Sequence, residues 1–196
     1  MSKKVYNIGG FLAFALSIVF SIYQIMQEFD IVKSVYFYSG IFGLIFFGLS
    51  LFFSLLKYKH TKNYPKFLGF YAFFWALIHF FNYFAFGKNL NLILFFKDTF
   101  SKNLEFSGFV SFFILTFMFI SSFKFFKKMS KIRKLGYFCF LLVAWHYFLS
   151  AKIPQIPHFL ALSLALIFLL IKLYKNYKKR KKSNFFIKIC IQMKHF

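Results

Sequence analysis

Acidic residues are nearly absent from this chain, which holds 4 Asp and Glu against 26 Lys and Arg in 196 residues. The four are Glu28, Asp30, Asp98 and Glu105, and all fall outside the apolar stretches. The stretches therefore lack the carboxylates of a zinc or copper centre, and the buried acids that mark many transport sites. Cysteine is also scarce. Cys139 and Cys190 form neither CxxC nor CxxCH, so no disulfide framework and no covalent heme attachment follow. No Gly-rich dinucleotide motif occurs, so no soluble flavin or NADPH domain is expected.

The chain is 60% hydrophobic and 27% aromatic, with 38 Phe. Apolar segments of about 20 residues recur along most of its length, which predicts an all-α polytopic membrane bundle. Codon bias in an AT-rich genome accounts for much of the Phe and Lys, so the Phe content is not read as an aromatic cage. The net charge of +22 would suggest nucleic acid in a soluble protein. Here the cations sit at segment ends, where they orient the chain in a membrane. No nucleic-acid partner is expected.

Six spans are predicted, over about 5–26, 34–56, 65–87, 106–123, 135–152 and 158–174. The first begins with a basic MSKK and lacks a small-residue cleavage site, so it reads as a retained helix. Pro65 suits the first turn of the third span. The stretch KNLNLILFFKDTFSKNLE is too short in its apolar run to cross and is expected at the interface or in a loop. Pro154 and Pro157 shape the turn before the sixth span. Residues 1–174 form one bundle domain and 175–196 a basic cytoplasmic tail, which serves as a topology and anionic-lipid anchor. The tail's alternation from Ile187 to Lys194 fits a surface segment or a short strand. With the amino terminus cytoplasmic, 21 of the 26 Lys and Arg lie inside. Both termini are therefore expected in the cytoplasm of a bacterial cell, with the bundle in its inner membrane.

Two histidines fall inside spans. His79 lies 13 residues past Lys66 and His146 lies 12 past Lys134, so both sit about 18 to 20 Å from the basic edge at 1.5 Å per residue. An ionisable group at that depth suggests function and a partner on a neighbouring helix. Two neutral imidazoles facing each other can hold one heme iron as axial ligands, an arrangement suited to electron transfer. The competing reading is that each hydrogen-bonds a Ser, Tyr or Asn on a neighbouring helix. Trp75, Asn82 and Tyr83 share the His79 face, and Val143 and Ser150 the His146 face. Trp75 and Val143 are candidates to pack on a macrocycle, and Asn82, Tyr83 and Ser150 to fix an imidazole tautomer. Cys139 reads as core packing. His60 and His195 read as solvated, and His158 as a propionate or partner contact at the outer edge.

The segments KFLGFYAFFWALIHFFNY, GFVSFFILTFMFISS and IRKLGYFCFLLVAWHYFLSAK together resemble the ferric reductase-like transmembrane superfamily. More narrowly, they resemble the heme-binding membrane subunit of the periplasmic protein-methionine-sulfoxide reductase system. The resemblance covers about residues 66–152 and implies heme b held by His79 and His146. It also implies a periplasmic molybdenum-containing reductase as partner, repairing methionine sulfoxide in proteins. Related proteins place a second ligand pair nearer the cytoplasm, at positions that here are Pro65 and Arg133. Proline cannot ligate iron, and arginine is suited to pairing with a heme propionate instead. One heme is therefore expected, with electrons arriving from a membrane quinol or from a flavin such as FMN in the bundle. Two alternatives stay open. One is a stand-alone ferric or quinone-linked reductase, and the other a small channel, transporter or assembly protein with structural histidines.

Overall fold

The computed structural model describes residues 3–56 and 63–193 of the chain. Those residues are helical almost throughout, with no strand among them. The helices are α1 (Lys3–Gln27), α2 (Ile31–Leu56), α3 (Tyr64–Asn82), α4 (Leu92–Ser101), α5 (Asn103–Ile120), α6 (Gly136–Ser150) and α7 (Ile156–Met193). A π turn, Tyr83–Gly87, extends α3, and a 3-10 segment, Lys124–Leu135, leads into α6.

Five helical stretches are long and apolar enough to cross a membrane: Ile8–Gln27, Ile31–Leu56, Tyr64–Gly87, Asn103–Ile120 and Ile156–Lys179. The chain is a multi-pass membrane protein. The fifth predicted span, 135–152, corresponds to α6, which has only 15 residues and is about 22 Å long at 1.5 Å per residue. The basic run before it takes 3-10 geometry instead of continuing the α-helix. α7 continues without a break through Met193, so the described part of the alternating stretch, 187–193, is helix rather than strand.

The neighbours follow from short connections: α2 packs against α3, α5 against α6, and α6 against α7, while α2 also touches α6. Small residues allow the close approach. Ala72 on α3, Cys139 and Ala144 on α6 and Ala165 on α7 are fully buried, among Phe46, Phe47, Leu68 and Phe140. α1 joins at one side, where Phe14 stacks on Tyr71 at 4.4 Å. Large apolar residues cover the outside of α1 and α7, including Leu16, Met26, Phe159 and Leu170, as a lipid-facing surface requires.

At the other end of α3 the chain reverses through Asn89 and Leu90, both at positive φ (50° and 57°). Asn91 then caps α4, its side chain accepting from the Leu94 amide at 3.0 Å. α4 is the short apolar run expected at the interface. It buries Phe95 and Thr99 and leaves Ile93 and Phe100 exposed.

Candidate functional site

His79 and His146 meet in the centre of the bundle. Their ring centroids lie 6.2 Å apart, with the planes at 86°. Each ring is held in the same way by the helix preceding its own. His79 Nδ1 lies 3.0 Å from the Tyr36 carbonyl oxygen on α2, and His146 Nδ1 lies 2.9 Å from the Leu104 carbonyl oxygen on α5. A carbonyl can only accept, so each imidazole donates its proton from Nδ1. The lone pair is left on Nε2. This is the tautomer that a metal-ligating histidine adopts when its other nitrogen is anchored to backbone.

A serine one turn further along backs each bond. Ser39 Oγ is 3.3 Å from His79 Nδ1, and Ser107 Oγ is 3.4 Å from His146 Nδ1. The two hydroxyls donate to their own helices, to the carbonyls of Val35 and Leu104, so it is an oxygen lone pair that faces the ring. A glycine follows each serine because the ring lies against the backbone there. A Cβ on Gly40 would stand 3.1 Å from His79 Cε1, and one on Gly108 would stand 2.6 Å from His146 Cε1. The anchor is thus written twice, as YFYSG and LEFSG. The histidine follows its carbonyl by 43 residues in one case and 42 in the other. The paired Ser-Gly was the signal available in the sequence for these residues.

Both rings line a cavity of about 410 Å³, within the range of small-molecule and cofactor sites. Its walls are mainly apolar or small, among them Gly43, Leu44, Ala72, Ala76, Phe112 and Val143. Polar groups gather towards the end formed by Lys33, Tyr83, Thr99, Glu105 and Ser150. The donor set fits a heme iron. Two imidazole nitrogens each about 2 Å from one metal ion put the ring centroids roughly 6 Å apart, which is the spacing found. Among the described residues no cluster of three His, Cys, Asp or Glu is placed to hold a metal ion.

Above the cavity a buried lysine organises the ends of three elements. Lys88 bonds Asp98 and, at 3.3 Å, Glu105, and Lys102 reaches both acids at 3.3 and 3.7 Å. The Lys88 ammonium also lies over the Tyr83 ring, 5.0 Å from its centroid. The hydrogen bond from Lys88 holds the Asp98 carboxyl below its ordinary value. Burial alone would lower Lys88, but its contacts with Asp98, Tyr83 and Glu105 outweigh that and raise it.

The other sequence candidates are distributed as follows. Tyr83, Val143 and Ser150 line the cavity. Trp75 does not line it; its indole donates to Ser17 Oγ on α1 at 3.3 Å. Asn82 donates to the Val32 carbonyl at 2.9 Å. Arg133 is exposed in the 3-10 segment, and neither it nor Pro65 lines the cavity. The Pro65 carbonyl instead accepts from Ser50 at 2.7 Å. Cys139 is fully buried and directs its thiol at the Ser111 carbonyl. His158 accepts from the Gln155 amide at 3.1 Å and stacks on Tyr147 at 4.4 Å. His60 and His195 lie outside the described residues.

No family model matches the chain, and no solved structure matches it. Among curated proteins it is similar to the protein-methionine-sulfoxide reductase heme-binding subunit MsrQ of Pasteurella multocida (strain Pm70), with 33% identity over 113 residues. That match spans about half the length of each protein, 55% of this chain and 55% of the relative.

Proposed function

We propose that this chain is a b-type cytochrome subunit of the bacterial inner membrane, holding one heme between His79 and His146. It relays electrons to a periplasmic molybdenum-containing subunit that reduces methionine sulfoxide in proteins. The observation that carries the reading is the matched pair of Nδ1-anchored imidazoles, 6.2 Å apart in one apolar cavity. When bound, heme supplies a one-electron iron couple. The chain itself fixes both tautomers, keeps each Nε2 unprotonated and surrounds the pair with apolar walls. His79 and His146 would both ligate the iron, a ligand set suited to electron transfer rather than to binding a small molecule. The similarity to a heme-binding reductase subunit supports the same assignment and suggests the partner.

In this reading α6 is a sixth, short crossing and both termini face the cytoplasm, as the 21-to-5 distribution of cations favours. Residues 1–174 act as the bundle and the basic remainder as a lipid-facing anchor. Pro65 and Arg133 stand away from the cavity, which supports a single heme. Arg133 is then placed for the inner headgroup region. A cytosolic donor would be separated from the histidines by about 20 Å. Entry from a membrane quinol, or from FMN held in the bundle, is therefore the shorter route.

The test is a reduced-minus-oxidised spectrum of the detergent-purified chain, with a pyridine hemochrome assay of heme per chain. The expected result is one low-spin b-type heme per chain. Two hemes would overturn the single-site reading, and none after expression with ample heme would overturn the cytochrome assignment.

A further inference from the structure

His79 and His146 are anchored alike, yet their ring planes stand at 86° to one another with the centroids 6.2 Å apart. In each ring Nδ1 bonds a carbonyl, that of Tyr36 for His79 and that of Leu104 for His146, and Nε2 is left free to hold a metal. A ring bound to a metal through Nε2 can still turn about that bond. What stops it is the carbonyl on Nδ1 together with whatever lies against the ring.

The two sides differ in that second element. Gly108 lies so close to His146 that a Cβ there would stand 2.6 Å from Cε1, 2.9 Å from Nδ1 and 3.3 Å from Nε2, so the α5 backbone itself blocks the turn. Gly40 is looser. A Cβ there would stand 3.1 Å from His79 Cε1 and 3.2 Å from Nδ1, with no other atom of the ring within 4 Å. The slack is taken up by the Tyr36 ring, whose centroid lies 4.0 Å from that of His79 with the planes tilted by 33°. Tyr36 therefore supplies both the carbonyl and a wall. The residue at the corresponding place in the α5 anchor is Leu104, which supplies the carbonyl and has no ring to stack.

We propose that Tyr36 is the positioning residue that holds the His79 plane crossed to that of His146 about the iron. The proposal rests on the heme reading above and deepens it by giving an electronic consequence to a side chain that acts through His79. Coplanar imidazoles act on one iron d orbital and separate it in energy from its partner, whereas crossed imidazoles act on both alike. The ferric ion then loses the stabilisation that the separation provides. Crossed planes therefore raise the reduction potential, which the protein sets through the axial ligands and their surroundings. From 86°, any large turn of His79 brings the rings nearer to parallel.

The experiment compares the full chain, purified in detergent with its heme, with Tyr36→Phe and Tyr36→Leu by electron paramagnetic resonance of the ferric state and by redox titration. Tyr36→Leu copies the residue of the α5 anchor and keeps the carbonyl. The unaltered chain should give the strongly anisotropic low-spin signal of crossed imidazoles, with one dominant low-field feature. Tyr36→Phe keeps the ring and should keep both the signal and the potential. Tyr36→Leu should retain heme, but its low-field feature should move to smaller g towards the rhombic pattern of nearly parallel rings, and its potential should fall. A rhombic signal from the unaltered chain would overturn the crossed arrangement. An unchanged signal in Tyr36→Leu, or loss of its heme, would overturn the positioning role, the second by making Tyr36 a support for heme retention. A shifted signal in Tyr36→Phe would overturn the assignment to the ring and move it to the hydroxyl. Absence of heme from the unaltered chain would overturn the heme reading instead, so the two failures are distinguishable.

Discussion

The half of the site built by α2 and α3 and the half built by α5 and α6 use one anchor and secure it differently. In both, a carbonyl, a serine and a glycine receive the imidazole. On the α2 side packing holds the ring, with Tyr36 lying against His79 at a centroid distance of 4.0 Å. α3 is also the longer support, with 19 residues plus the π turn. On the α5 side no aromatic residue supplies the carbonyl. Its first turn is tied down by charge instead, since Glu105, next to Leu104, is held by Lys88 and Lys102. The glycine contact is tighter on this side as well. The same local geometry can therefore rest on dispersion in one helix pair and on electrostatics in the other, and perturbations should separate the two.

The largest effect should not distinguish them. His79→Ala and His146→Ala should each abolish heme retention in a pyridine hemochrome assay while leaving expression intact, and His60→Ala and His195→Ala should leave heme content unchanged. Full retention in either core variant would refute the ligand pair. The glycines should break the symmetry. A methyl group at Gly108 meets the His146 ring at a distance that real Cβ contacts do not reach, and the ring can yield only by releasing the Leu104 carbonyl. Gly108→Ala should therefore lower heme affinity about 10-fold, as losses in a ligand's outer support commonly do. Gly40→Ala needs a shift of only a few tenths of an ångström and should cost about threefold or less by the same reasoning. Equal losses would show that the two anchors are equally constrained.

How much of this was legible in the sequence differs by residue. The two ligand candidates were legible, because histidine at equal depth in two apolar stretches has few other uses. Their anchors were not, since a backbone carbonyl accepts whatever its residue type, and only the doubled Ser-Gly hinted at it. Trp75 shares the His79 helix face by spacing, yet that face is wide enough to serve both the cavity and α1, and the indole turns to Ser17. Lys88, Thr99 and Glu105 fall in the stretch expected at the interface or in a loop, because nothing in the sequence shows that α4 folds back over the cavity. The number of spans was less legible than their existence. Charge bias counts the sides correctly only if α6 crosses, and its 15 residues reflect a 3-10 lead-in that hydropathy does not reveal.

The electrostatic half should respond selectively to charge. Lys88→Met leaves Asp98 and Glu105 to Lys102 alone, which should lower the thermal midpoint by several degrees and reduce heme affinity about threefold through the Leu104 turn. The network should also set a pH window. Asp98 is held below its ordinary 3.8, so its contribution is present above that value and is lost as pH falls through the lowered one. Lys88 is raised from 10.5, so its contribution is present below that value and is lost as pH rises through the raised one. A melting profile against pH should therefore be flat between these limits and fall at both ends. In Lys88→Met the fall at the alkaline end should disappear. An alkaline fall retained in the variant would assign it to another group.

The smallest expected effect isolates the part the two halves share. Each serine lies 3.3 or 3.4 Å from its imidazole, further than the carbonyl, and its proton is committed to its own helix. It therefore contributes a second, weaker acceptor to an Nδ1–H already satisfied. Ser39→Ala and Ser107→Ala remove that oxygen and leave the carbonyl, so neither buried donor loses its partner. The cost should stay near or below about 1 kcal/mol each, the scale of a neutral hydrogen bond whose loss orphans nothing. Heme content should be unchanged, and the reduction potential should shift slightly upward, because a less strongly bonded Nδ1–H makes the imidazole a weaker donor to ferric iron. Similar small shifts in both variants would show that the carbonyls position the rings while the serines only tune them. A loss of heme in one variant alone would show that this half depends on its serine and that the likeness of the two anchors is only geometric.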